Sequence, residues 1–235
     1  LNNKTSLIFD TSRILGEVFN TSSSYWLNHA YRLGFNDNLI SERYQLSRAM
    51  HPYSTQTEHV NLHDEIFLPL FSEKQIRDRT SEIGLALHRQ YGGKTPVFIS
   101  ILSGAFVFAA DLIRHFPDAC EVNFVKLSSY RGQQSTGDVQ TVMGLTHDLT
   151  GRHLIVVEDI VDTGRTLHYF LGQLQQHNPA SICAVTLLRK PDAAQFDVHI
   201  DHVGFEISDR FVVGYGLDYD GLGRNLPGIF VKAAV

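Results

Sequence analysis

The fold of this chain is decided by the stretch from Arg152 to Leu167, which reads RHLIVVEDIVDTGRTL. Its apolar run, Leu154 to Val157, is typical of a strand that is buried on both faces of a sheet. Two adjacent carboxylates, Glu158 and Asp159, end this run, and a short DTGRT turn then opens a segment whose apolar residues recur at helical spacing. The stretch therefore predicts a strand, an acidic loop and a helix N-terminus, in that order.

A strand that leads directly into a helix is a favourable place for an anionic ligand. In open α/β sheets ligands bind beyond the carboxyl ends of the strands, and a helix N-terminus offers unpaired backbone N–H groups to an anion. Gly164 lets the backbone approach the ligand closely, and Thr163 and Thr166 add hydroxyl donors. The pattern predicts that this turn binds a phosphate group.

Three acidic side chains beside this turn would repel the phosphate itself, so they should serve other parts of the same ligand. Glu158 and Asp159 suit either the vicinal hydroxyls of a ribose or a divalent metal ion, whereas Asp162 suits a proton acceptor. The plainer alternative is that Asp159 and Asp162 only cap the following helix. Because nothing structural requires two bulky acids at a strand end, the whole run favours a ligand site.

The same stretch closely resembles the signature of the type I phosphoribosyltransferases, which bind 5-phosphoribosyl-1-diphosphate (PRPP). The resemblance covers roughly residues 65–232. It implies an α/β fold with a mainly parallel central sheet flanked by helices and a small β hood subdomain. It also implies that PRPP and its 5′-phosphate are bound by Glu158, Asp159, Asp162, Thr163, Gly164, Arg165 and Thr166.

Length and composition are those of one enzyme-sized globular unit with an appendage. A chain of 235 residues, 43% of them hydrophobic, can bury a substantial core. The net charge of −5 and the lack of a long Lys/Arg run argue against broad binding to nucleic acid or anionic membranes. Cys120 and Cys183 have no CxxC spacing and are predicted to be reduced core thiols of a cytoplasmic protein.

Residues 1–64 are predicted to form an N-terminal extension, and residues 65–235 the phosphoribosyltransferase domain with its hood. In the extension short apolar and aromatic groups alternate with Asn, Ser and Thr, and helices are predicted near residues 24–33 and 39–50. Three interpretations stay open: a packed helical extension, an oligomer contact, or a partly disordered leader. The aromatic content favours the packed extension.

A second strand, turn and helix pattern precedes the central stretch. The apolar run from Pro96 to Leu102 is followed by Ser103-Gly104-Ala105 and then by a strongly apolar helical segment, Phe106 to Phe116. Alone, this pattern is a plain βα connection; paired with the first turn, it becomes a second phosphate site. The resemblance implies that Leu102, Ser103 and Gly104 bind the diphosphate, often across a cis peptide bond, here Leu102-Ser103.

A polar, glycine-punctuated segment at residues 128–138 separates two predicted strands, Glu121 to Leu127 and Val139 to Leu145. It is either an ordinary long hairpin loop or a mobile lid. Ser129 and Tyr130 resemble the loop with which hypoxanthine-guanine phosphoribosyltransferases cover their active site. Such a lid would keep water away from the reacting ribosyl centre.

The last third of the chain predicts a small β subdomain. A buried strand, Ser181 to Leu188, ends near Lys190, and residues 203–220 read as two short strands with glycine-rich turns. Residues 203–220 and 224–227 are similar to the purine-binding hood of the hypoxanthine-guanine branch of the family. The resemblance implies a purine site in which Lys190 donates to O6 of a 6-oxopurine, Phe211 stacks on the ring and the Val212 backbone meets its edge.

The resemblance also implies a diphosphate and metal site around the hood. Arg224 would contact the diphosphate, and Asp218, which also counts among the implied purine-binding residues, would ligate Mg²⁺ together with Glu158 and Asp159. As single residues, Phe211 could be a core residue, Asp218 a turn residue and Arg224 a surface charge. Their ordered occurrence favours the functional interpretation.

The implied activity is magnesium-dependent purine salvage, a glycosyltransferase reaction. The 5-phosphoribosyl group of PRPP would pass to hypoxanthine or guanine, giving IMP or GMP and diphosphate, with Asp162 as the catalytic base. Two alternatives stay open: a catalytically inactive regulator that senses PRPP or nucleotides, and a transferase that prefers xanthine or another base. A homodimer or homotetramer is expected, without nucleic acid or membrane partners.

Overall fold

The computed structural model describes residues 59–129, 139–143 and 148–233, with side chains for 59–127 and 148–233. All of them belong to one compact unit, Thr55–Val235. The helices predicted near residues 24–33 and 39–50, most of the N-terminal extension and Tyr130 of the predicted lid lie outside these ranges. Among the described helices, none combines the length and apolar character needed to cross a membrane.

The elements alternate between strands and helices along most of the described chain. The strands are β1 (Val60–Leu62), β2 (Glu65–Phe71), β3 (Val97–Leu102), β4 (Glu121–Ser129), β5 (Val139–Met143), β6 (His153–Val161), β7 (Ser181–Arg189), β8 (His202–Glu206), β9 (Val212–Val213) and β10 (Ile229–Lys232). The helices are α1 (Glu73–Tyr91), α2 (Phe106–Arg114) and α3 (Arg165–Gln175), with a 3₁₀ turn at Pro191–Ala193.

A six-stranded sheet in the order β5-β4-β3-β6-β7-β8 forms the centre of the domain. Neighbouring strands from β4 to β8 pair in parallel, and β5 pairs antiparallel to β4 at one edge. The predicted α/β fold with a mainly parallel sheet is confirmed. Parallel strands present their carboxyl ends at one side of a sheet, so the turns that follow β3, β6 and β7 open toward the same side.

Helices cover both faces of this sheet, which is why its central strands are apolar on both sides. In β6, Ile155 and Val157 pack with α1 and α2, whereas Leu154 and Val156 pack with α3. This alternation follows from the two-residue period of a strand. The continuous apolar run in the sequence is thus explained by two cores, one on each side of the sheet.

Ser72 with Gln75 three residues later is a capping-box pattern that predicts a helix start, and helix α1 begins there, at Glu73. The backbone N–H of Gln75 donates to Ser72 Oγ over 3.3 Å, and the Ser72 N–H donates to Gln75 Oε1 over 3.0 Å, which completes the predicted capping box. Ile76, Ile83 and Leu87 are buried at helical spacing. The helix ends at Tyr91, and Gly92 follows as its C-cap.

The hood differs from its predicted composition. It is a four-stranded antiparallel sheet in the order β1-β2-β10-β9, so half of its strands come from residues 60–71. Strand β8, predicted as part of the hood, instead pairs in parallel with β7 in the large sheet. A Cβ on Gly204 would overlap the Leu187 backbone, so the glycine allows this close pairing. The predicted domain boundary at 64/65 falls within the β1–β2 hairpin.

Strand β6 also extends further than predicted. The apolar run ends at Val157, but pairing with β7 continues through Glu158 opposite Thr186 to Val161 opposite Arg189. The two carboxylates therefore lie on the last part of a paired strand and not in a loop. The backbone ladder with β7 outweighs the low strand preference of acidic residues.

Candidate active site

Residues 162–166, here called the phosphate turn, join β6 to α3. Gly164 is the N-cap of α3 and has a φ of +81°, a conformation that favours glycine. The backbone N–H groups of Gln195 and Phe196 both donate to the Thr163 carbonyl over 3.0 Å, which fixes the turn. An open cavity of about 80 Å³ lies here, lined by Glu158 and residues 160–167. Six of the seven predicted PRPP-binding residues line it, all except Asp159.

The helix-capping alternative for the acidic residues is wrong. The N-cap position belongs to Gly164, which has no side chain. Asp159 Oδ1 accepts from the Ile160 N–H over 2.9 Å, and Asp162 Oδ2 accepts from Lys190 Nζ over 3.2 Å. Both carboxylates are therefore directed to partners other than the amides of α3.

Glu158 is a buried carboxyl group whose Oε2 atom has no hydrogen-bond partner in the described part of the chain. Burial raises the pKa of Glu158 well above its ordinary value, and the neighbouring Asp159 raises it further. A buried carboxyl without a partner is costly. The group therefore favours either a proton or a ligand that enters the adjoining cavity.

Asp159 connects the two predicted phosphate sites. Burial raises its pKa to about 6, although the Ile160 N–H and Arg224 act in the opposite direction. A Cβ on Gly104 would overlap the Asp159 carboxylate, so the loop after β3 packs directly against it. The Leu102-Ser103 peptide bond in that loop is cis, as the family resemblance implies.

The hood loop that follows β9 packs against the loop that follows β3. Arg224 pairs with Asp218 Oδ1 over 2.6 Å and donates to the Gly216 carbonyl over 2.6 Å. A Cβ on Gly216 would overlap the Gly104 carbonyl, so the two loops touch through their backbones. The structure thus brings the predicted diphosphate residues, Leu102 to Gly104 and Arg224, to one place.

The predicted purine residues divide between the large sheet and the hood. Lys190 follows β7 and is 7% exposed, with its Nζ bonded to Asp162 and, over 3.0 Å, to Asp209 Oδ1. Phe211 is 47% exposed on the hood, and its ring lies beside those of Phe67 and Tyr219.

Val212 is buried in β9, which lies at an edge of the hood sheet. Because Asp209 precedes Phe211 by two residues, its bond to Lys190 brings the start of the hood to the end of β7. Lys190, the proposed O6 donor, thus lies at the junction of the two sheets.

The predicted metal ligands form no ready-made cluster. Among the described side chains, no three His, Cys, Asp or Glu residues are arranged to hold a metal ion. Asp218 is paired with Arg224, and it also lies close enough to Asp159 to raise the pKa of Asp159. Mg²⁺ commonly takes one or two carboxylates together with substrate phosphates and water. The unpartnered Glu158 oxygen and the desolvated Asp159 fit such a shared ion.

Sequence reasoning missed several residues of this site. The sequence assigned no function to Asp209, which bonds to Lys190. It did not assign the strand of Phe67, whose ring lies beside Phe211, to the hood. It also did not indicate the bond from the Tyr215 hydroxyl to Asp111 Oδ2, which is 2.7 Å long. For Asp209 the sequence did contain a signal, the charged pair Asp209-Arg210 directly before Phe211. Ser129 of the predicted lid ends β4, and its neighbour Tyr130 lies outside the described residues.

Fold and site together are those of an α/β protein with a turn suited to phosphate at the carboxyl ends of its parallel strands, close to a small hood. The family described as "Phosphoribosyl transferase domain" matches residues 72–220. The chain belongs to this phosphoribosyltransferase family.

Relatives with assigned names are similar over the same region. The chain is 42% identical over 168 residues to hypoxanthine-guanine phosphoribosyltransferase of Lactococcus lactis subsp. lactis (strain IL1403), covering 71% of this chain and 91% of the relative. It is also 42% identical over 168 residues to the enzyme of the same name from Bacillus subtilis (strain 168), covering 71% and 93%. A crystal structure of a hypoxanthine-guanine phosphoribosyltransferase from Bacillus anthracis has a TM-score of 0.67 and 39% identity, covering 72% of this chain and 99% of that one.

Proposed function

We propose that the protein is a hypoxanthine-guanine phosphoribosyltransferase, which transfers the 5-phosphoribosyl group of PRPP to hypoxanthine or guanine and releases diphosphate. The observation that carries this proposal is the bond between Lys190 Nζ and Asp162 Oδ2 at the mouth of the phosphate turn. In this proposal the bond joins Lys190, as the donor that would recognise the base, to Asp162, as the proton acceptor, beside the turn that would bind the phosphate.

Binding is assigned to groups that are already in place. Backbone N–H groups of the phosphate turn and the Thr163 and Thr166 hydroxyls would hold the 5′-phosphate. Glu158 and Asp159 would face the ribose hydroxyls, and the loop from Leu102 to Gly104 with Arg224 would hold the diphosphate. Positioning of this kind supplies much of the rate in group transfer.

The chemical step breaks the bond from C1′ to the diphosphate oxygen and forms a bond from C1′ to N9 of the purine. The proton on N7 passes to Asp162, whose side chain is 49% exposed at the cavity. Mg²⁺, when bound, would neutralise charge on the leaving diphosphate. Glu158, Asp159 and Asp218 are the residues proposed to hold it.

We also propose that the enzyme is cytoplasmic and acts as a homodimer or homotetramer, without nucleic acid or membrane partners. Support for a reducing compartment comes from Cys120 and Cys183, which are free thiols. The oligomeric state rests on the family resemblance, and sedimentation of the full chain measures it directly.

A base panel tests the proposed reaction. The full chain is assayed with PRPP, Mg²⁺ and, in turn, hypoxanthine, guanine, xanthine, adenine and uracil. We expect turnover on hypoxanthine and guanine. Turnover only on xanthine, adenine or uracil would contradict the assigned base, and tight PRPP binding without turnover on any base would favour a sensing regulator.

A variant of the proposed base tests its function. We expect Asp162→Asn to lower kcat by about 10²-fold or more, in the range of general-base contributions, with little change in the KM for PRPP. The control is Asp78→Asn, since Asp78 is exposed on helix α1 and pairs with the exposed Lys74. Equal turnover in the two variants would refute the assignment of Asp162.

A further inference from the structure

We infer that Asp209 is a positioning residue that makes the site select 6-oxopurines, by holding the Lys190 ammonium jointly with Asp162. This inference rests on the proposed function and assigns the selection of the base to a residue outside the proposed catalytic set. Its observation is the pair of bonds at Lys190 Nζ, 3.2 Å to Asp162 Oδ2 and 3.0 Å to Asp209 Oδ1.

Lys190 is held both at its backbone and at the ammonium end of its side chain. Its backbone N–H donates to the Val161 carbonyl over 2.9 Å, and a 3₁₀ turn begins at the next residue. The side chain is 8% exposed, whereas those of Asp162 and Asp209 are 49% and 62% exposed. A lysine buried to this extent requires charged partners, and the two more exposed carboxylates supply the opposite charge.

The hydrogen-bonding capacity of the ammonium group limits what else it can bind. A lysine ammonium has three N–H donors and no acceptor. Two donors are used by Asp162 and Asp209, so one remains. That donor suits the carbonyl oxygen at position 6 of hypoxanthine or guanine, but not the amino group of adenine, which would present its own N–H.

The two carboxylates reach Lys190 from different parts of the fold. Asp162 lies in the phosphate turn, and Asp209 lies in the segment between β8 and β9. That segment is itself fixed, since the Ile207 N–H donates to the Arg189 carbonyl over 2.8 Å and Arg210 Nη2 donates to the Lys232 carbonyl over 2.9 Å.

If Asp162 were its only carboxylate partner, the Lys190 ammonium group could pivot about that single hydrogen bond. The second anchor restricts its position and thereby the direction of its remaining donor. Asp209 also shares the positive charge, so Asp162 is not the sole partner of a buried cation. Removing Asp209 should therefore weaken binding of the base without altering the phosphate turn.

The test compares Asp209→Ala and Asp209→Asn with Glu206→Gln. Glu206 is a matched control because it is 60% exposed, lies three residues earlier and pairs with Arg189 over 3.4 Å. We expect Asp209→Ala to raise the KM for hypoxanthine about tenfold, as for loss of a hydrogen bond to a charged group, with the KM for PRPP changed less than about twofold. The preference for hypoxanthine over adenine should fall by a similar factor.

Asp209→Asn should restore most of the preference, because an amide carbonyl can still accept from Lys190. A purely structural loss would lower the active fraction, and so kcat for all substrates, without separating the two KM values. If the wild type converts hypoxanthine but Asp209→Ala keeps its KM and its preference, the inference is overturned and the proposed function stands. If the wild type converts no base, both fail.

Discussion

Replacement of Gly104 by alanine tests the packing between the two proposed phosphate-binding loops most sharply. Gly104 lies between the cis Leu102-Ser103 bond and helix α2, and a Cβ there would overlap the Asp159 carboxylate. The backbone of Gly104 is not in the left-handed region, so alanine can adopt its conformation. The effect of the substitution should therefore come from the added methyl group and not from backbone strain.

The expected magnitude follows from the displacement that the methyl group requires. Either the Asp159 carboxylate or the loop of residues 102–104 must move by on the order of 1 Å or more, and a misplacement of that size can cost about 10²-fold in rate. We therefore expect kcat/KM for PRPP to fall about 10²-fold in Gly104→Ala, which corresponds to roughly 2.7 kcal/mol of transition-state stabilisation.

The assay is initial-rate kinetics with PRPP varied at saturating hypoxanthine, alongside urea unfolding. Gly172→Ala is the control, because Gly172 lies within helix α3 and a Cβ there would meet no atom within 4 Å. That control should keep full activity and gain about 0.5–1 kcal/mol in unfolding free energy. Activity of Gly104→Ala within about threefold of wild type would refute the packing argument.

Three further predictions concern the hood and the edge of the sheet. Phe211→Ala should raise the KM for hypoxanthine about tenfold through loss of stacking, whereas Leu222→Ala, equally exposed on the hood, should not; equal effects would contradict the stacking assignment. Tyr215→Phe should lower the unfolding free energy by about 1 kcal/mol in urea, since the bond to Asp111 is lost; an unchanged midpoint would argue against that bond. Burial lowers the pKa of His202, so the folded state binds fewer protons than the unfolded one and stability should fall as pH drops below about 6.5. In urea titrations at pH 7 and 5.5, His202→Asn should show the smaller loss; parallel losses would contradict the pKa shift.

The elements that the sequence predicts well are those with local causes. The capping box at Ser72 and Gln75 marks the start of α1, and the strand, turn and helix around Gly164 follow from apolar periodicity and one glycine. Such signals depend on residues a few positions apart, and the same residues lie together in the fold. Asp162 and Lys190 lie close together because the parallel strands β6 and β7 end at the same side of the sheet.

The elements that the sequence predicts poorly depend on pairing across long separations. Strand β2 completes the hood only because it pairs with β10, which lies far away at the other end of the domain. The bond between Lys190 and Asp209 likewise requires the hood to be placed against the large sheet. Apolar periodicity specifies which face of a strand is buried but not which strand lies beside it.

The most direct test of the central claim is a crystal structure of the full chain with IMP bound. The account predicts the 5′-phosphate on the backbone N–H groups of the phosphate turn, with O6 of the purine at Lys190 Nζ and the ring against Phe211. A nucleotide bound elsewhere, or bound with its phosphate away from Gly164, would contradict it.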